Sequence, residues 1–83
     1  MSEPEFAIGE HVYYLDSEWA GPVSREVVIA VHSEEGRHWY EARVIEVIDR
    51  RFTAAYHASQ IVERDERHLS HLPALLQLAE AAD

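Results

Sequence analysis

Between Phe6 and Arg64 the apolar residues come in short bursts of β-branched and aromatic side chains, each closed by Gly, Pro, Asp or Ser. Such bursts are too short for helices and carry the composition of strands. The first covers residues 6–15, where Gly9 supports a turn or bulge ahead of the main strand. Residues 16–24 form a loop whose sharpest break is Gly21-Pro22. Residues 26–32 are nearly all apolar, with three Val and an Ile, and predict a second strand. Residues 33–36 turn the chain, and Gly36 is available for positive φ. In residues 38–48, alternation places Tyr40, Ala42 and Val44 on the core face. Trp39, Glu41, Arg43, Ile45 and Val47 fall on the other. After a polar connection, residues 52–57 form a fourth strand with Phe52, Ala54 and Tyr56 on one face. Residues 58–60 turn, and residues 61–64 make a short fifth strand. The expected core is Val12, Val27, Ile29, Val31, Tyr40, Val44 and Phe52.

The period changes near residue 70. Leu72, Leu75, Leu76 and Ala79 recur at helical spacing, which predicts a C-terminal α-helix over residues 70–82. Ser70 serves as N-cap and Pro73 is tolerated in the first turn. The stripe most often faces a core, and it also offers a surface to a second copy, giving a homodimer through this helix. A chain of 83 residues is one domain, residues 1–83, with the strands in 6–64 and the helix in 70–82.

A domain this small buries only about 60% of the surface its unfolded chain exposes, so function is expected on a face, a loop or an edge. No apolar run approaches the ~20 residues of a membrane span. Residues 1–5 are acidic and lack the apolar core of a signal peptide. The chain has no cysteine, which excludes disulfides and thiolate zinc sites. A cytoplasmic location is the default expectation.

The formal net charge is −9, and residues 1–20 hold five acids with no Lys or Arg. That surface repels phosphates and anionic lipid, so neither direct nucleic-acid binding nor membrane binding is expected. It suits a protein partner with a basic surface. Acidity also keeps a small protein soluble without any partner.

Gly9-Glu10-His11-Val12-Tyr13-Tyr14 resembles the "G-[DE]-x-V-[WY]" opening of Src-homology-3-like barrels, the Tudor-like ones among them. His57-Ala58-Ser59-Gln60-Ile61-Val62 resembles their ending, where a one-turn 3₁₀ segment separates the fourth and fifth strands. The resemblance covers residues 6–64. It implies a mostly-β fold, a five-stranded antiparallel Src-homology-3-like barrel followed by the C-terminal α-helix. By itself it licenses no particular function.

Enzyme signatures are missing. There is no G-x-S-x-G, no phosphate-binding glycine loop, no H-E-x-x-H and no cysteine nucleophile, so the chain reads as a non-enzyme without cofactor. His68 and His71 share a spacing that a metal site uses, but two histidines without further ligands read as solvated side chains, and no metal is expected.

The aromatics carry the strongest functional signal. In Tudor-like domains, aromatics at the first loop and at strand ends cage a methylated Lys or Arg through cation–π attraction. The matching positions are Tyr14, Trp19, Tyr40 and Tyr56, of which Tyr40 and Tyr56 serve a core equally well. Trp19, beside Gly21-Pro22 in an acidic loop, is hard to bury and is a typical interface anchor. The expectation is a non-catalytic protein-binding module whose partner contacts are Tyr13, Asp16, Glu18, Trp19 and Trp39. The alternative is a small acidic inhibitor that blocks a basic, nucleic-acid-binding surface of a target, as phage anti-defence or toxin-immunity proteins do.

Overall fold

The computed structural model describes residues 3–15, 22–48 and 57–71. Five strands form one antiparallel sheet: β1 (His11–Leu15), β2 (Pro22–Glu34), β3 (Arg37–Val47), β4 (Ile61–Asp65) and β5 (Leu69–Ser70), in the order β4-β3-β2-β1-β5. The edge strands β4 and β5 are joined by a single 3₁₀ turn, Glu66–His68, and are not hydrogen-bonded to each other, so the sheet is not closed.

The sheet nevertheless curls until its ends face. Arg64 on β4 lays its guanidinium over Tyr14 on β1, with Cζ 3.7 Å from the ring centroid, although two strands separate β4 from β1 in the sheet. Phe6, Val12, Val28, Tyr40 and Leu69 pack together within this curl, with Tyr14 and Val31 against them.

The longest hairpin joins β2 to β3. Its turn has positive φ at both Glu35 (52°) and Gly36 (79°), the backbone of a two-residue loop that matches the twist of the flanking strands. As expected, Tyr40, Ala42 and Val44 are all buried on β3.

On β2 the expected alternation is overturned. Val27 and Ile29 are only half-buried and Val28 is the core residue. The reason is Glu26, which faces inward and is fully buried. Its carboxylate receives Arg64 through Nε at 3.0 Å and Nη2 at 2.7 Å, and the Ser24 hydroxyl at 2.5 Å. Charge compensation by a bidentate guanidinium makes that burial tolerable. A bulge between Val28 and Ala30 then shifts the register by one residue. It turns Val31 back toward the core and His32 outward.

The last strands differ from the sequence reading as well. Residues 61–65 are the strand that pairs with β3, and the 3₁₀ turn lies at Glu66–His68, not at 58–60. The strand that returns to β1 is Leu69–Ser70. Ser70 therefore sits in a strand, paired with Tyr13, and His71 after it is in a bend, so no helix starts from Ser70 as its cap. Residues 72–82 of the expected helix, with the homodimer surface assigned to it, and residues 52–56 of the expected fourth strand, Phe52 among them, lie outside the described residues. Among the described residues there is no α-helix, and no helix is long and apolar enough to cross a membrane.

Candidate functional site on the outer face of the hairpin

Strand pleating projects Arg37, Trp39 and Glu41 from the outward side of β3. Trp39 pairs with His32 on β2 and with Asp65 on β4. The bulge in β2 sets His32 at this position, where its ring stacks on Trp39 with centroids 5.6 Å apart and planes at 17°. Arg37 places Cζ 5.1 Å from the Trp39 ring centroid. Trp39 is thus half-buried, oriented by a cation–π contact and a stacked imidazole, with part of its ring left to solvent.

Carboxylates surround it. Glu34 and Glu35, at the hairpin tip, line a cleft with Arg37 and Trp39. Glu41 holds Oε2 2.9 Å from His32 Nε2 and stands directly opposite Glu63, a like-charge pair that a sheet does not favour for stability. Asp65 draws Arg37 Nε to 3.6 Å and Arg67 Nε to 3.8 Å. The Arg67 backbone N–H, which Asp65 accepts at 3.1 Å, lowers the Asp65 pKa most, with Arg67 and Arg37 adding to it. Both distances exceed ordinary hydrogen-bond reach, so these are loose ion pairs. The outcome is a half-buried indole on the outer sheet face, contacted by His32 and Arg37, with the carboxylates of Glu34, Glu35, Glu41 and Asp65 around them.

Beneath this face lies a second polar network. The Tyr40 hydroxyl donates to Glu66 and accepts the backbone N–H of Glu5 at 3.1 Å and of Phe6 at 3.3 Å. Burial and the Glu66 carboxylate push the Tyr40 pKa up to about 12. Burial raises the Glu66 pKa, but the Tyr40 hydroxyl, the Glu5 N–H and nearby His38 outweigh it and hold Glu66 below the usual carboxylate range.

The expected site residues separate in space. Trp39 is at the outer face as described. Tyr13, half-buried on β1, pairs with Arg25, while Trp39 pairs with His32, so most of the length of β2 lies between them. Tyr14 has its ring covered by Arg64, and Tyr40 is fully buried with its hydroxyl engaged, so both serve the core. Asp16, Glu18, Trp19 and Tyr56 lie outside the described residues. His32, Glu34, Glu35 and Glu41 were not singled out from the sequence. The alternation on β3 pointed to Glu41, whereas the bulge that delivers His32 left no mark in the residue pattern. Among the described residues no three His, Asp or Glu side chains converge to hold a metal.

No family model, no curated protein and no solved structure matches the chain.

Proposed function

We propose that the protein is a non-catalytic binding module that docks a basic protein segment on the outer face of the β2–β3 hairpin. The observation that carries this reading is Trp39. It is a half-exposed indole at the cleft formed with Glu34 and Glu35, with Glu41 and Asp65 beside it on the same face. An aromatic held in place by neighbours loses little entropy on binding, and the carboxylates around it steer a cationic partner to it. An arginine or lysine of the partner would lie against the free part of the indole and exchange its charge with the hairpin-tip acids.

The same reading extends the fold to a Src-homology-3-like barrel. Support comes from the strand order β4-β3-β2-β1-β5, from the 3₁₀ turn between the edge strands, and from the curl that brings Arg64 onto Tyr14.

The test is association kinetics with a short fluorescent peptide of alternating Arg and Leu. Replacing Glu34, Glu35 and Glu41 together by Gln should slow association several-fold in low salt, and the gap should close at high salt. Equal rates for the variant and the wild type in low salt would remove the acidic face from the mechanism. A complex that salt dissolves completely, with Trp39→Ala neutral, would favour a purely electrostatic blocker of a basic surface.

A further inference from the structure

Phe6 is a core residue that belongs to no strand. It is 2% exposed, stands edge-on to Tyr40 with centroids 5.5 Å apart, and meets the His71 ring at 4.8 Å. The segment that carries it, residues 3–8, makes no sheet ladder. Its backbone is held by side chains instead: Glu5 N–H donates to Glu66 Oε2 at 3.0 Å, the N–H of Glu5 and of Phe6 reach the Tyr40 hydroxyl, and Ala7 N–H donates to Glu10. One buried ring and a few side-chain hydrogen bonds therefore fix a strap across the open curl of the sheet.

One turn joins this strap to the rest. Glu10 N–H closes on Ala7 O at 3.0 Å, with Ile8 and Gly9 between them and Gly9 at φ +93°. The turn is itself tied to β2, with Gly9 N–H on Val28 O at 2.8 Å and Val28 N–H on Glu10 O at 2.9 Å. Ile8, in the middle of this hinge, is 68% exposed, more than any other large apolar side chain among the described residues.

We propose that the Phe6 slot accepts the strap of a second copy, so that the chain forms a dimer by exchanging residues 3–8. The occupant is set by the slot itself, because the contacts that Glu5 and Phe6 make at home, with Tyr40, Glu66, His71 and the apolar cluster, can be made equally on a partner, while the Ala7 O–Glu10 N–H bond is the one that opens. The two forms differ only in the hinge and in the cost of association. Straightening the hinge releases the positive-φ turn at Gly9. It also brings two opened hinges side by side, where each Ile8 covers the other. The dimer therefore gains with concentration and with any change that disfavours the closed turn.

Gly9 separates this idea from ordinary packing effects. A Cβ built there meets no atom within 4 Å, so Gly9→Val acts first on the positive-φ backbone of the closed turn. Sedimentation of the wild type at millimolar concentration and of Gly9→Val should both reveal dimer, and the variant should dimerise at least about tenfold more tightly, given the ordinary cost of a positive φ on a β-branched residue. An isotope-filtered NMR experiment on a one-to-one mixture of labelled and unlabelled chains should then find contacts between the Phe6 ring of one copy and Val12 and Tyr40 of the other. Two results overturn the proposal: monomer throughout for both proteins, or a dimer in which all contacts of Phe6 stay within one chain.

Discussion

The curled interior and the outer hairpin face use the same three groups for opposite ends. Inside, Arg64 covers the Tyr14 ring and grips Glu26; outside, Arg37 leans on Trp39 near Asp65. The inner ion pair is desolvated, with Glu26 fully buried and Arg64 7% exposed, and the guanidinium approaches the carboxylate to 2.7 Å. The outer one is loose: Arg37 is 66% exposed and stops 3.6 Å from Asp65. Charges in the first setting fix the architecture, because neither can be left alone. Charges in the second cost little to rearrange, which a surface needs if it is to exchange its own neighbours for those of a partner. The strands themselves enforce the division, since pleating sends Arg64 inward and Asp65, its neighbour in the chain, outward.

The strongest way to break this comparison is to remove Arg64. Arg64→Ala should destabilise the fold by about 3–5 kcal/mol, because it leaves Glu26 buried and unpaired. Replacing Glu26 by Leu and Arg64 by Met together should cost much less than the single change. Chemical denaturation of the three variants checks both expectations.

A smaller effect is expected at the polar network of Tyr40. Tyr40→Phe should cost about 1–3 kcal/mol, as the N–H of Phe6 loses its acceptor and Glu66 its donor. Because folding raises the Tyr40 pKa from 10.0 to about 12, its contribution is fully present below pH 10 and is lost as pH rises toward 12. An ultraviolet titration of the folded protein should show a late tyrosine ionisation, and the phenylalanine variant should lack both that step and the alkaline loss of stability.

The carboxylates supply the opposite limb. The Ala7 N–H and His71 lower the Glu10 pKa, and Asp65 and Glu66 are lowered by the contacts given for each, so these three carboxyls hold their protons less tightly in the folded protein than in the unfolded chain. Their stabilisation is present above the ordinary carboxylate range of about 4 and fades as pH falls through the lowered values. Melting temperatures should stay level from neutral pH down to about 5 and then drop. In Glu66→Gln the drop should be shallower.

Much of the sheet was legible because turn residues and β-branched runs mark strands locally. Alternation assigned the faces of β3, with Tyr40 inward and Trp39 outward. It failed on β2, where a carboxylate took a core position and a bulge reset the register. Glu26 is a core residue only because Arg64, 38 positions away, comes to meet it, and no local pattern announces a partner at that distance. The 3₁₀ turn was expected one element too early, since the Ser59 turn, with φ 71°, has the residues of a chain reversal just as the true joint does. Trp39 was legible as an outward aromatic. The acids that complete its surroundings come from a hairpin tip and a neighbouring strand, and only the register brings them together.

At the weak end, Arg37→Ala should shift stability by no more than about 1 kcal/mol, as expected for an exposed ion pair.

The division between the two faces is tested most directly by Trp39→Ala, followed by thermal melting and by equilibrium binding of the Arg-Leu peptide at physiological salt. The account predicts a melting temperature within a few degrees of the wild type and affinity weakened about thirtyfold or more, which corresponds to the roughly 2 kcal/mol of an aromatic anchor. A variant that binds as tightly as the wild type, or one that unfolds as readily as Arg64→Ala, would contradict it.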